Sequence, residues 1–217
     1  MQQIGQWFAI QTPLLQGLMV FLGCYLIGCF ASGYYLVRWR AGIDVRQMGS
    51  GSVGATNVRR ALGPTGFVVT LLADIIKGAF ALWFTKEIAP AGWLGVLALL
   101  AVVAGHIWPV QLRFQGGKGI ATALGALLVY DWLMLLIWAG AMAVSYLLLR
   151  RFVVAGLIAF VAVPVAALAT HAAAIQSAGL TLLVGLVWFA HRSNVHEEFA
   201  IMFKHRVATS ESDNISH

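Results

Sequence analysis

The sequence predicts an all-α polytopic membrane protein with seven transmembrane helices, and the first reason is composition. Of its 217 residues, 60% are hydrophobic and only 10% are charged, and the mean hydropathy of +0.84 lies far above that of soluble domains. Repeated apolar stretches of about 18 residues or more suit helices, whereas the strands of a barrel would show stretches of about ten residues with alternating polarity. We therefore expect one helical domain over residues 1–217, with a polar cytoplasmic tail from about residue 195.

The placement of the basic residues predicts how the chain is oriented. The net charge is +6, and most Lys and Arg residues lie at the ends of apolar segments, as is typical of the cytoplasmic side of a membrane protein. A path with seven crossings places twelve of the fourteen Lys and Arg residues on that side, with the N-terminus outside and the C-terminus in the cytoplasm. Because the basic charge serves to orient the chain, we expect no nucleic-acid partner.

The first three helices are predicted from apolar runs and from the residues that interrupt them. Residues 14–37 form an uninterrupted apolar run that ends at Arg38. A second helix is predicted over residues 66–84, after Gly63 and Pro64, because glycine ends helices and proline is tolerated at a first helical position. A third helix is predicted over residues 92–109.

Residues 120–149 are too long for one crossing and contain Tyr130-Asp131-Trp132 in their middle. We divide them into a short fourth helix, residues 119–130, and a fifth helix, residues 132–149. At 1.5 Å per residue the short helix reaches only about 18 Å, against a bilayer core of about 30 Å, so it must cross a thinned or protein-lined region. The sixth helix is predicted over residues 152–170 and the seventh over residues 178–190, with an outside turn over residues 171–177.

The segment MGSGSVGATNVRRALG, residues 48–63, is the first candidate site for a phosphate group. Its glycines would let successive backbone N–H groups turn toward one anion, and Ser50, Ser52 and Thr56 would add hydroxyl donors. Arg59 and Arg60 follow, and guanidinium groups bind phosphate oxygens in a bidentate manner. The alternative is a flexible loop with ordinary interfacial arginines.

The segment FQGGKGIAT, residues 114–122, is a second candidate, with Lys118 as its cation. It is not a Walker A loop, because the first glycine of that motif is missing and Gly119 stands in place of the hydroxyl residue, so ATP hydrolysis is not expected. A tight turn that carries an interfacial lysine is the alternative interpretation.

Several polar residues lie at or within the ends of the predicted helices. His191 and Asn194 are three residues apart after the seventh helix and can point into the same space, although a histidine at a helix end often has only a capping role. Asp74 and Lys77 share one face of the second helix and predict an internal ion pair, which can be functional or purely structural. We expect His106 to be structural. No metal site or cofactor is predicted, since the histidines lack the spacing of metal ligands.

Three motifs together resemble a known enzyme family. The stretches GSGSVGATNVRR, GHIWPVQLRFQGGKGIAT and HRSN, in this order and spacing, are similar to the three signature motifs of the bacterial acyl-phosphate-dependent glycerol-3-phosphate acyltransferases. The match extends over roughly residues 25–194. The resemblance implies transfer of a fatty acyl group from acyl phosphate to the 1-hydroxyl of glycerol 3-phosphate, which gives lysophosphatidic acid and phosphate at the bacterial inner membrane, with the active site on the cytoplasmic side.

The same resemblance implies which residues form the site. The family's catalytic residues correspond to Ser50, Arg60, Lys118, His191 and Asn194. Its phosphate-binding residues correspond to Gly51, Gly54, Thr56, Asn57, Gly116, Gly117 and Gly119. The sequence departs from the family pattern in two places: Ser52 stands where the family usually has Asn, and the residues after Asn194 lack the usual basic tail that ends in glycine. No obligate protein partner is evident, and membrane lipid surrounds the chain.

The chemistry of a mixed anhydride indicates direct transfer without an acyl-enzyme, because the phosphate is already a good leaving group. The proton of the attacking hydroxyl could go to His191 or to the phosphate of glycerol 3-phosphate, whose second pKa is about 6. Acyltransferases that use thioester donors normally show an H-x4-D motif, and neither His106 nor His191 is followed by Asp at that spacing. A transporter of a phosphate-bearing lipid or metabolite is the alternative function.

Overall fold

The computed structural model describes residues 1–89, 91–170 and 173–193, and these residues form nine α-helices joined by short connections. The helices are α1 (Gln2–Ala9), α2 (Pro13–Cys29), α3 (Ser32–Ala41), α4 (Ala55–Ile88), α5 (Gly92–Ile107), α6 (Ile120–Tyr130), α7 (Trp132–Leu149), α8 (Phe152–Ala169) and α9 (Ala174–Ala190). Single 3-10 turns over Val45–Gln47 and Val110–Leu112 lie in the two glycine-bearing connections. The prediction of an all-α chain is confirmed.

Five segments of the described chain are long and apolar enough to cross a bilayer: Pro13–Ala41, Ala55–Ile88, Gly92–Leu112, Trp132–Leu149 and Phe152–Ala169. The helices α6 and α9 are apolar but shorter, with 11 and 17 residues. The short fourth helix was therefore predicted correctly, whereas the count of seven crossings and the orientation of the termini remain predictions.

The helix α5 lies at the centre of the bundle and packs against α2, α4, α6 and α9. Most of its residues are buried, whereas in α7 only Met134 is buried and the helix pairs mainly with α8. In a bilayer the exposed apolar side chains of α7 contact lipid, which is as favourable for them as a protein core.

The short helix α6 is held tightly against α4. A Cβ atom added to Gly78 or to Gly125 would overlap the backbone of the other helix, so only glycine permits this close crossing. At the far end, the ammonium group of Lys86 donates to the carbonyls of Val129 and Tyr130 in the last turn of α6. These contacts satisfy backbone groups of a helix that is too short to reach bulk water at both ends.

The first predicted helix is interrupted in the structure. The run over residues 14–37 is divided into α2 and α3, because Phe30 and Ala31 have non-helical backbone angles. Distant side chains satisfy the carbonyls that the break releases: Lys77 Nζ lies 2.8 Å from the carbonyl oxygen of Phe30, and the amide of Gln111 donates to Cys29. The prediction of one continuous helix was wrong because these donors come from α4 and from the connection after α5.

Other helix ends follow local signals. The backbone of Gly63 is left-handed, with φ of 69°, and separates the first turns of α4 from its long apolar part, as the stop and restart at Gly63-Pro64 predicted. Asp131 ends α6 and caps α7 by accepting the N–H of Leu133 at 3.0 Å. The helix α9 begins at Ala174 rather than at residue 178, because the side chain of Gln176 accepts the N–H of Ala173 and caps an earlier first turn.

Candidate active site

The first glycine-rich segment folds around the side chain of Asn57, which is only 1% exposed. Its Nδ2 group lies within hydrogen-bond distance of three carbonyl oxygens, those of Val45 (2.8 Å), Met48 (3.0 Å) and Ser52 (2.9 Å). Its Oδ1 atom accepts the N–H of Ser50 at 3.1 Å and Nη1 of Arg60 at 3.2 Å. One buried amide therefore sets the shape of the loop and holds Ser50 and Arg60 near each other.

The loop exposes some of its hydroxyl groups and buries another. Gly49 and Gly51 adopt left-handed backbone angles, with φ of 54° and 67°, and Ser50 lies exposed between them. Thr56 is also exposed, whereas Ser52 is buried and its hydroxyl accepts the N–H of Gly54 at 3.2 Å. The departure from the family pattern at Ser52 thus lies inside the loop, where the hydroxyl supports the turn into α4.

Two helices begin at this end of the molecule. The first-turn N–H groups of Ala55 and Thr56 in α4 have no acceptor within the helix, because the first four N–H groups of any helix lack one. The helix α6 begins at Ile120, after Gly119 with φ of 89°. The loops that precede these two helices are bonded to each other, since the N–H of Val53 donates to the carbonyl of Gly116 at 3.3 Å. Helix N-termini carry partial positive charge, so their presence here favours anions.

The second glycine-rich segment lies against the end of α5. The N–H of Gly116 donates to the carbonyl of Ile107 at 3.1 Å, and the N–H of Gly117 donates to the carbonyl of His106 at 3.0 Å. Both N–H groups are therefore engaged within the protein. The half-buried Lys118 follows them and is the cation of this segment.

Arg46 joins the two connections, and the sequence analysis did not identify it. Its Nη1 atom donates to the carbonyl of Leu112 at 3.0 Å, its Nη2 atom pairs with Asp44 at 2.7 Å, and its guanidinium lies 5.2 Å from the ring centroid of Tyr34. The hydrogen bonds from Arg46 lower the pKa of the Asp44 carboxyl group. The two residues are only two positions apart in the sequence, but the contact with Leu112 depends on the tertiary fold.

His191 directly follows α9, and its side chain is buried. Its Nδ1 atom lies 2.8 Å from the carbonyl oxygen of Val187. Because a carbonyl oxygen can only accept, Nδ1 carries the proton and Nε2 keeps a free lone pair. Burial, with a smaller contribution from the nearby charge of Lys118, lowers the pKa of His191 to about 4. His191 is therefore neutral at pH 7. Because the charge of Lys118 acts on His191, the second and third motifs lie close together.

The structure thus joins the predicted residues in two groups. Ser50 and Arg60 meet at Asn57, and Lys118 and His191 lie within electrostatic range of each other. The bond between Val53 and Gly116 connects the loops that carry the two groups. Asn194, together with the predicted tail that follows it, lies outside the described residues.

Comparison with known proteins identifies the family of this chain. The family model of glycerol-3-phosphate acyltransferase matches residues 18–200. The chain belongs to the glycerol-3-phosphate acyltransferase family. It is 44% identical to glycerol-3-phosphate acyltransferase 1 of Desulfitobacterium hafniense over 181 residues, which covers 83% of this chain and 89% of that protein. It is 42% identical to the glycerol-3-phosphate acyltransferase of Myxococcus xanthus over 82% of this chain and 92% of that protein.

Two crystal structures of PlsY (YgiH), an integral membrane glycerol 3-phosphate acyltransferase, are also similar to this chain. The glycerol 3-phosphate form superposes with a TM-score of 0.78 and the lysophosphatidic acid form with a TM-score of 0.76. In both cases the sequences are 28% identical, and the match covers 85% of this chain and 92% of the other. The chain is thus an integral membrane acyltransferase that acts on glycerol 3-phosphate.

Proposed function

We propose that this acyltransferase takes its acyl group from acyl phosphate and forms lysophosphatidic acid. The oxygen of the 1-hydroxyl of glycerol 3-phosphate attacks the acyl carbonyl carbon, and the bond from that carbon to the phosphate oxygen breaks. The products are 1-acyl-glycerol 3-phosphate and inorganic phosphate, and the hydroxyl proton ends on phosphate. No acyl-enzyme is needed, because the anhydride already contains a good leaving group.

The observation that carries the proposal is the meeting of two loops that both favour anions. The loop around Asn57 brings Arg60 beside Ser50 and ends at the start of α4. The loop before α6 brings Lys118 to the same end of the bundle through the bond from Val53 to Gly116. Transfer from acyl phosphate brings two phosphate groups close to the reacting carbon, and Arg60 and Lys118 provide positive charge for both. Transfer from acyl-CoA would need only one phosphate site near that carbon.

We assign the direct contacts to the groups that remain accessible. The Ser50 hydroxyl and the first-turn N–H groups at Ala55 and Thr56 hold one phosphate, and the cations of Arg60 and Lys118 neutralise the charge that develops as the anhydride bond breaks. Gly51 and Gly54 shape the loop, since their N–H groups donate to Met48 and to Ser52 within the protein. Asn57, Gly116 and Gly117 contribute in the same indirect way.

His191 orients the attacking hydroxyl in this scheme. Its Nε2 lone pair can accept a hydrogen bond from the hydroxyl, whereas its only ring proton is engaged with Val187. A group whose pKa is about 4 removes a proton less readily than a phosphate whose second pKa is about 6. The phosphate group of glycerol 3-phosphate is therefore the proton acceptor. Asn194, three residues further along the sequence, is proposed as a second polar contact to the substrates.

The experiment uses the purified full-length chain in detergent. Palmitoyl phosphate and glycerol 3-phosphate are supplied and phosphate release is followed, with palmitoyl-CoA as the control donor. Release that needs both substrates, and no acylation from the thioester, supports the proposal. Acylation from palmitoyl-CoA alone contradicts the assignment of the donor. Phosphate release without acylated product shows hydrolysis rather than transfer.

Variants test the electrostatic part of the scheme separately. Lys118→Ala and Arg60→Ala should each lower kcat/KM by about 10²-fold or more, the loss expected when a donor to a developing charge is removed. Arg59→Ala is the matched control, since Arg59 is exposed and adjacent to Arg60 in the same helix. Equal losses at positions 59 and 60 would show that only the general positive charge of the helix matters.

We also propose that the chain lies in the bacterial inner membrane with seven crossings, the loops of the site facing the cytoplasm. A path with seven crossings would alternate the connections between the two sides and place twelve of the fourteen Lys and Arg residues on the side of the site. The test places single cysteines at Ser50 and at Glu87, which lies exposed at the opposite end of α4, in a background in which Cys24 and Cys29 are replaced by Ala. A membrane-impermeant maleimide added to intact cells should label position 87 only.

A further inference from the structure

A polar cluster lies inside the bundle, below the loop that carries Lys118. It consists of Asp74 and Lys77 of α4 and His106 of α5, whose residues are 2%, 6% and 4% exposed. Lys77 Nζ lies 2.8 Å from Asp74 Oδ1 and 2.7 Å from Nδ1 of His106. The proposed reaction does not use any of these groups, although burying them in a membrane protein is costly unless they are fully paired.

The hydrogen bonds of the cluster are complete at its centre. The ammonium group of Lys77 has three hydrogens and three acceptors, the third being the carbonyl oxygen of Phe30 at 2.8 Å. The carboxylate of Asp74 also accepts the hydroxyl of Ser32 at 2.9 Å. Since an ammonium group cannot accept, Nδ1 of His106 supplies a lone pair to Lys77, and the proton of a neutral imidazole is on Nε2. The network fixes the position and the tautomer of the His106 ring.

The fixed ring is in direct contact with the second glycine-rich loop. A Cβ atom added to Gly117 would overlap the His106 ring at Nε2, and the N–H of Gly117 donates to the carbonyl of the same histidine at 3.0 Å. Gly117 therefore packs directly against His106: its N–H bonds to the carbonyl of that residue, and its lack of a side chain leaves room for the ring. The next residue is Lys118, whose charge reaches His191. A shift of the His106 ring would therefore move Lys118.

We propose that Asp74, Lys77 and His106 are positioning residues for acyl transfer: they fix the His106 ring as the surface on which Gly117 rests, and so fix where Lys118 is presented. The inference rests on the proposed function only for the role of Lys118. Stability alone does not require such a cluster, because replacing a buried ion pair by apolar groups of similar volume is often neutral or stabilising. Its location, between a break in the first membrane segment and the loop of the site, is what a positioning role requires.

The first test compares His106→Asn with His106→Leu. The Asn side chain retains an acceptor for Lys77 at the place of Nδ1, whereas Leu retains none. Thr85→Val is the control, because Thr85 is a buried polar residue of the same helix α4, bonded to the carbonyl of Ala81 at 2.8 Å and remote from the loop. Three readouts are taken: kcat/KM, the thermal unfolding temperature, and deuterium exchange of the peptide over residues 114–120.

His106→Leu should lower kcat/KM by about tenfold or more and speed exchange in the 114–120 peptide while exchange in α5 stays slow, as expected when a local unit opens without global unfolding. His106→Asn keeps the acceptor for Lys77 but loses the ring atoms beneath Gly117, so in both properties it should lie between His106→Leu and the unmodified protein. Thr85→Val should lower the unfolding temperature without affecting the loop. Equal losses in the Asn and Leu variants, or faster exchange in every peptide, would overturn the proposal. The exchange readout needs no donor, so it stays informative even if acyl phosphate proves not to be the substrate.

The second test is a double-mutant cycle between His106 and Gly117. Gly117→Ala should be severely impaired alone, because its Cβ atom meets the His106 ring. His106→Asn removes the ring atoms at that point, so Gly117→Ala should cost at least about tenfold less in the Asn background, a coupling typical of residues in contact. An equal cost of Gly117→Ala in both backgrounds would show that the ring does not determine the position of the loop.

Discussion

Asn57 offers the sharpest test of how the first loop is built, because one side chain holds most of its turns. Replacement by alanine removes the Nδ2 contacts to three carbonyl oxygens and the Oδ1 contacts to Ser50 and Arg60. The contacts with the carbonyls of Val45 and Ser52 are fully buried. The Val45 oxygen would keep the N–H of Met48 at 3.4 Å, whereas the Ser52 oxygen would be left unsatisfied.

The size of the effect follows from the orphaned carbonyl of Ser52. A buried polar group left unsatisfied costs about 1–3 kcal/mol, so the folded loop should lose roughly 1–3 kcal/mol relative to open conformations. Since each 1.36 kcal/mol is a factor of ten, we expect kcat/KM to fall by at least about 5-fold. The unfolding temperature of the bundle should change little, because the loop opens locally while the apolar helix contacts remain.

Steady-state phosphate release and deuterium exchange of residues 45–54 measure the two halves of this prediction. Gln47→Ala is the matched control, since Gln47 is exposed in the same segment. Asn57→Asp should be as inactive as Asn57→Ala, because a carboxylate cannot donate to the three carbonyls. If Asn57→Ala kept activity within about twofold of the unmodified protein, the loop would not depend on this amide and the reasoning from the orphaned carbonyl of Ser52 would be refuted.

Three further predictions concern other parts of the site. His191→Gln places an acceptor near the position of Nε2 and should retain about a tenth of the activity. His191→Asn keeps only the bond to Val187 and should lose about 10²-fold or more. Phosphate-release kinetics measure both variants, and the reverse order of activities would argue against a hydroxyl contact at Nε2. Because burial lowers the pKa of His191 from 6.5 to about 4, the unfolded chain binds a proton at this residue first as pH falls. The contribution of His191 to stability is therefore present above pH 6.5 and is lost toward pH 4. The drop in unfolding temperature between pH 7 and pH 5 should be smaller in His191→Gln, and an unchanged drop would contradict the assignment of a buried, neutral His191. Arg46→Met removes the bond to Leu112 and the pairing with Asp44, and should lower kcat/KM by about tenfold while exchange in both loops rises; faster exchange in one loop alone would show that Arg46 does not join them.

The helices themselves were largely predictable, because their signals are local. A bilayer admits apolar helices with satisfied backbones, so long apolar runs define most of the spans. Gly63 and Asp131 could also be identified in advance, since a left-handed glycine and a capping carboxylate act through neighbouring backbone groups. The break at Phe30 could not, because the donors that satisfy its carbonyl groups come from Lys77 and Gln111, far away in the chain.

The residues of the candidate site were predicted from motifs, and their roles stay predictions. The motifs, through their resemblance to a known family, pointed to Ser50, Arg60, Lys118 and His191. The interpretation of the glycine-rich segments as cradles whose backbone N–H groups turn toward an anion is revised by the structure. The N–H groups of Gly116 and Gly117 are bonded within the protein, a fact that depends on the end of α5 lying beside them.

The amino-acid sequence by itself determined that the chain is helical, that it belongs in a membrane, and which residue types could meet phosphate, because hydropathy, glycine and charge act through composition and short spacings. Only the tertiary structure decided that Asn57 organises the first loop, that His191 presents a lone pair, and that His106 lies beneath Gly117. Those facts depend on hydrogen bonds and contacts between groups far apart in the chain, and no local pattern specifies which distant partner a polar atom will find once the helices pack.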